Sequence, residues 1–206
     1  FGVFKLRVPG VPLRSIIYNG EDDIMEASRR LWAICAAYNF DYHVVTQSIA
    51  LMDDRQGELT EAAQQHGVPI INQQATDYII NTARETRADV LIFDPLVNLH
   101  NLNESDNGHM RFFVGVLRNI GRAADAAVLV AHHTAKGASL KAKDDADGFR
   151  GASSIVNSSR AALLLSGMSK EDCAHYGIRE SAKRDYFRID SGKANYSRKE
   201  NDAIEW

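Results

Sequence analysis

Disulfides are the first thing the sequence cannot supply. Its two cysteines, Cys35 and Cys173, lie far apart in helical-looking sequence and read as buried or free thiols, which suits a reducing cytoplasm. No apolar run approaches the roughly 20 residues needed to span a bilayer, and no signal-peptide pattern opens the chain, so no membrane is expected. A surplus of either charge is also missing. With 24 Lys and Arg against 27 Asp and Glu, the net charge is −3. No general basic field announces nucleic acid, and any such contact must be local. There are no internal repeats, and low complexity is confined to residues 135–149. What remains is 206 residues, 45% apolar and 25% charged, enough for one α/β domain with a proper core.

The chain is organised around Ala88-Asp89-Val90-Leu91-Ile92-Phe93-Asp94-Pro95. Four consecutive apolar residues between acidic ones read as a strand buried on both faces, as in a parallel sheet. Pro95 cannot donate to a ladder, so the strand stops near Asp94. That leaves a carboxylate at the carboxyl end of a central strand, where open α/β sheets place ligands. There Asp94 either caps the next turn or holds Mg²⁺ beside phosphates, since the hard cation takes oxygen ligands.

Around this strand the pattern alternates. Ser15-Ile16-Ile17-Tyr18 is a short β run, and Ile24, Ala27, Leu31, Ile34 and Cys35 recur at helical spacing over roughly 23–38. Between them stands Asn19-Gly20-Glu21-Asp22-Asp23. Helix capping by Glu21 or Asp22 accounts for the acids best locally, but one cap leaves at least one carboxylate free. Over 40–72, His43-Val44-Val45 and Val68-Pro69-Ile70-Ile71 read as short strands and Leu51 to Gln65 as mixed loop and helix. Gln74 to Arg87 is helical, Leu96 to Gly108 is a ligand-side loop, and Met110 to Ala124 is a second clear helix. Ala126 to Ala131 is a second buried strand ending in His132-His133-Thr134. Strand, helix, strand at this spacing is a right-handed βαβ unit with parallel strands. Residues 135–149 read as a mobile loop. A short helix through Asn157, a strand Arg160–Leu165, a helix opened by Ser169-Lys170-Glu171-Asp172 and a strand Asp185–Asp190 follow.

Three strands thus end in polar groups: Glu21, Asp94 and the His132-His133 pair. Parallel strands bring these ends to one edge. A carboxylate base, a carboxylate for Mg²⁺ and a neutral hydrogen-bonding sensor are what phosphoanhydride hydrolysis needs. Successive side chains on a strand face opposite ways, so only one histidine can face the site. A zinc hydrolase built on a histidine with Asp94 and Glu21 fits poorly. The spacing matches no helical zinc motif, and a second histidine on the correct face is lacking.

Leu91-Ile92-Phe93-Asp94-Pro95-Leu96, Val130-Ala131-His132-His133-Thr134-Ala135-Lys136-Gly137 and Arg150-Gly151-Ala152-Ser153-Ser154, in this order, resemble the RepA-type hexameric helicases. These are RecA-like ring ATPases of plasmids, phages and other mobile elements. The resemblance runs from about Ile16 to Tyr196 and includes Ser191-Gly192-Lys193-Ala194-Asn195-Tyr196. It implies an α/β fold with a RecA-like core, a mostly parallel sheet with helices on both faces in three α/β/α layers, as one domain over 1–206. It also implies ATP and Mg²⁺ as cofactors. Asp94 matches the Walker B aspartate that holds the metal, Glu21 the glutamate that activates water, and His133 the γ-phosphate sensor, with His132 structural. Arg160 matches an arginine finger reaching a neighbouring subunit's ATP, and Lys193 assists from the same side. The loops Asn98–Gly108 and Lys136–Phe149 match channel-lining regions. There Lys136, Lys141 and Lys143, with Arg150, would track the phosphates of single-stranded DNA, unless Asp144, Asp145 and Asp147 make this a merely solvated loop. The partners implied are single-stranded DNA, other copies of the chain in a hexamer, and a primase or initiator protein.

One part of the family pattern has no match. The phosphate-gripping G-x-x-x-x-G-K-[ST] is nowhere in these residues, and Gly192-Lys193 lacks the upstream glycine and the Ser or Thr. With Phe rather than Met first, the expectation is that this strand and helix lie upstream, and that the chain as given binds ATP poorly. Two other readings stay open: a KaiC-like regulatory ATPase that moves no nucleic acid, and a binding or assembly module without catalysis.

Overall fold

Four parallel strands form the main sheet. The computed structural model describes residues 12–55, 57–62, 67–133 and 153–194. Strand β1 (Ser15–Asn19) pairs on one side with β2 (Ile49–Met52) and on the other with β5 (Val90–Asp94), which in turn pairs with β7 (Ala127–Val130). The order is β2-β1-β5-β7, and Asn19 stands in register with Asp94.

The chain passes from β1 to β2 through α1 (Ile24–Tyr38) and the short α2 (Tyr42–Thr46). It then crosses back to β5 through α3 (Gln73–Thr86) and steps on to β7 through α4 (Asn107–Ala124). Right-handed crossovers in opposite directions put α1 on one face and α3 with α4 on the other. Register identifies the inner face. Leu91 stands beside Ile16 and Val128, and Phe93 beside Tyr18. A Cβ on Gly121 of α4 would come within 2.9 Å of Val128, so α4 lies on that face and only glycine allows its approach. Ile16, Tyr18, Leu91 and Phe93 are buried there with Ile79 and Ala83 of α3 and Phe113 and Ile120 of α4. The opposite face, with Ile17, Ile92 and Leu129, is half-buried to exposed.

Beside this sheet, β3 (Thr60–Ala62) pairs antiparallel with β4 (Pro69–Ile71) and parallel with β6 (His100–Asn101). Leu96 and Leu99, in the 3₁₀ turn Leu96–Leu99, are buried. The described residues group into two compact units, one ending at His133 and the other over 153–194. In the second, α5 (Ser153–Ser158) leads to β8 (Ala161–Gly167), α6 (Lys170–Tyr176), a 3₁₀ turn (Glu180–Asp185) and β9 (Phe187–Ala194). Strands β8 and β9 are antiparallel, with a register shift between Ala162 and Leu163. The expected capping box is present, Ser169 and Asp172 bonding reciprocally. Both cysteines are free and buried. Among the described residues no helix is long and apolar enough to cross a membrane.

The structure corrects the reading of 40–72. His43-Val44-Val45 lies in helix α2, because the Asp41 side chain accepts from the His43 N–H at 2.8 Å and caps a turn there. Residues 51–52 and 60–62, expected within loop and helix, lie in the strands Ile49–Met52 and Thr60–Ala62. The loop after β5 contains a 3₁₀ turn and β6, and β9 continues through Ser191 to Ala194, where an exit was expected. Residues 135–149 lie outside the described residues.

Candidate active site

Strands β1 and β5 are neighbours, but the chain leaves them in opposite directions. Their carboxyl ends are therefore a topological switch point, where open sheets form a ligand crevice. The Gly20 N–H donates to the Asp94 carbonyl at 2.9 Å, and the Asn98 side-chain amide donates to the Gly20 carbonyl. A Cβ at residue 20 would fall 2.7 Å from that of Asn98, so glycine is required for the two segments to meet. The Asn19 side-chain oxygen accepts from the N–H groups of Glu21 at 2.8 Å and Asp22 at 3.0 Å, an Asx turn that lifts the next residues out of the sheet.

The three acids that follow have separate tasks. Asp23, not Glu21 or Asp22, caps α1, accepting from the Glu26 N–H at 2.8 Å. Asp22 pairs with Arg30 at 2.7 Å. Glu21 is left facing the end of β7, where its Oε1 lies 3.3 Å from His133 Nε2. Both side chains are more than half exposed, so a ligand can reach them. His132 is half-buried, with its Nδ1 shielded from solvent.

Asp94 is exposed at the end of β5. Among the described residues no three His, Cys, Asp or Glu side chains are placed to hold a metal ion together. They therefore form no site closed by protein ligands, as structural zinc requires. A single hard carboxylate at a crevice does suit Mg²⁺, which takes one or two carboxylates and completes its shell with water and substrate phosphates. Below the site, the Tyr18 hydroxyl is buried and has no hydrogen-bond partner among the described residues. Burial first, then the carboxylates of Asp54 and Asp53, pushes its pKa up to about 12.

In the second unit, Arg160 is exposed immediately before β8. The Lys193 ammonium donates to the carbonyls of Val156 at 3.2 Å and Asn157 at 2.6 Å in the last turn of α5. There it offsets the negative end of the helix. Lys136, Lys141, Lys143 and Arg150 lie outside the described residues. Asn19, Gly20 and Asn98 went unnoticed as site-builders. An Asn-Gly pair after a strand is a local turn signal for the first two, whereas nothing near Asn98 in sequence marks its contact with Gly20.

Residues 1–139 match the family described as "AAA domain". Among solved structures, the chain is similar to a KaiC-like protein of the hyperthermophilic archaeon Pyrococcus horikoshii. The identity is 14% and the TM-score 0.50, over 93% of this chain and 71% of that one. At that identity the likeness is one of fold, the RecA-like α/β core with its mostly parallel sheet.

Proposed function

The chain belongs to the AAA domain family, and from that premise we propose that the whole protein is an ATP-driven ring translocase acting on single-stranded DNA in plasmid or phage replication. The observation that carries the hydrolytic part is the contact between Glu21 and His133, 3.3 Å apart beside Asp94 at the switch point. Glu21 takes the proton of an attacking water, and the His133 Nε2–H, which faces that carboxylate, would turn to the terminal phosphate when nucleotide is bound. Asp94 would hold Mg²⁺, which offsets phosphate charge. The partial exposure of all three leaves room for a triphosphate.

The ring and the nucleic acid rest on the family resemblance of the sequence. Arg160 of one copy would reach a neighbour's ATP and stabilise transition-state charge. For Lys193 to assist, its bonds to Val156 and Asn157 would have to be exchanged for phosphate oxygens. Lys136, Lys141, Lys143 and Arg150 would follow a strand's phosphates through the channel, giving binding that weakens with salt. A primase or initiator would bring the hexamer to its DNA.

The test is ATP turnover by the full-length protein with and without single-stranded DNA. A several-fold rise on adding DNA supports translocation. Hydrolysis that ignores DNA points to a regulatory ATPase, and no hydrolysis to a binding or assembly module.

A further inference from the structure

The 3₁₀ turn after β5 is fastened at both ends. The Leu96 N–H donates to the Ala131 carbonyl, just past β7, at 2.8 Å. At the other end the Leu59 N–H, just before β3, donates to the Leu99 carbonyl at 2.7 Å. Leu96 and Leu99 are both wholly buried, so packing holds the turn as well as hydrogen bonds. Asn98 sits between them, half-buried, and its side chain reaches across to the end of β1.

The peptide group that enters Glu21 is held at both of its polar atoms. Its carbonyl, that of Gly20, accepts from the Asn98 side-chain amide. Its N–H, that of Glu21, donates to the Asn19 side-chain oxygen at 2.8 Å. One residue earlier, the Gly20 N–H donates to the Asp94 carbonyl at 2.9 Å and continues the β1–β5 ladder past Asn19. These three bonds differ in reach. The turn at Asn19 is local and moves with the strand end, and a single terminal ladder bond leaves that end free to fray. The bond from Asn98 removes this freedom, because it anchors the Gly20 carbonyl to a turn that is itself tied to β7.

We propose that Asn98 is a positioning residue: by holding the Gly20 carbonyl it sets the Glu21 carboxylate at its 3.3 Å contact with His133. One turn frames both partners of that contact. Asn98 fixes the chain one residue before Glu21, and Leu96 fixes it two residues before His133. Strands β1 and β7 are not neighbours, since β5 stands between them, so the turn after β5 is the brace that spans their ends. The chemistry needed at residue 98 is specific. The atom it faces is a carbonyl oxygen, so the side chain must donate. The kinetic effect rests on the hydrolysis proposed above; the placement of Glu21 does not.

The test is a double-mutant cycle in the full-length protein, read by ATP turnover and by NMR spectra. Asn98→Ala should lower kcat by roughly ten- to a hundredfold, the cost of a misplaced catalytic group, with the KM for ATP unchanged. Combined with Glu21→Gln it should add nothing, because a residue that acts through Glu21 has nothing left to place. In the spectra, Asn98→Ala should speed exchange of the Glu21 backbone N–H and shift the His133 ring signals. If Asn98→Ala does not fold, Asn98→Asp keeps the size of the side chain, removes the donor and makes the same test. An unchanged kcat, losses that add in the double mutant, a raised KM at constant kcat, or His133 signals unmoved by the substitution would overturn the proposal. A wild-type protein that hydrolyses no ATP overturns the functional reading instead, and the spectra alone then decide whether Asn98 places Glu21.

Discussion

Helices α1 and α4 are both amphipathic, yet they bury very different shares of their apolar residues. In α4, Met110, Phe113, Val116, Leu117, Ile120 and Ala124 are all buried. In α1 only Cys35 is, while Met25, Trp32, Ile34 and Tyr38 are exposed. The two helices lie on opposite faces of one sheet. The α3–α4 face therefore carries the folding stability, and the α1 side contributes little burial of its own. What α1 does contribute is a fixed entry angle for Asn19 to Asp23, and with it the placement of Glu21.

Truncation on each face gives the largest contrast. Phe113→Ala should cost about 3–5 kcal/mol in chemical denaturation, as other fully buried phenylalanines do. Trp32→Ala on the exposed face should cost about 0.5 kcal/mol or less. Equal losses would break the comparison. Gly20→Ala comes next, since its new methyl must displace Asn98. A cost of roughly 1–3 kcal/mol is expected from this overpacking, partly recovered in Gly20→Ala combined with Asn98→Ala. No recovery would mean that the strain lies elsewhere.

A smaller effect separates the helix ends by pH. The Asp106 carboxylate caps α4 by accepting from the N–H groups of His109 and Gly108, and these bonds hold its pKa below the usual carboxylate value. A lowered folded-state pKa means the unfolded chain binds the proton more readily. The stabilisation is thus complete above the unfolded value of about 3.9, and is lost as pH falls through the folded one. Asp106→Asn should therefore be less stable than wild type at neutral pH, with the gap closing in acid; a gap independent of pH would contradict the capping charge. The smallest effect belongs to Tyr18→Phe. Its hydroxyl is buried without a partner among the described residues, so removal should change stability by less than about 0.5 kcal/mol or raise it slightly. A large loss would reveal a bond made by that oxygen.

How much of this was legible in sequence depended on how local each cause is. The strands at Ile16 and Leu91, the helix from Met110 and the capping box at Ser169 follow from periodicity and cap chemistry contained within a few residues. So does the alignment of the ends of β1, β5 and β7, once the strands are parallel. Residues 43–45 misled because two adjacent β-branched valines outweighed one capping Asp41. Ile49–Met52 was missed because a four-residue edge strand has too few positions to show a period. The division of labour among Glu21, Asp22 and Asp23 depended on Arg30 and His133. The contact of Gly20 with Asn98 is long-range packing that no local pattern encodes.

Hydrolysis at this strand edge depends most directly on Glu21. Glu21→Gln keeps the shape and the turn at Asn19 but removes the carboxylate facing His133. In the full-length protein, nucleotide binding should persist while ATP turnover falls by roughly 10²–10⁴-fold, the loss expected for a general base. Turnover unchanged in Glu21→Gln, with binding intact, would contradict the placement of the chemistry at this strand edge.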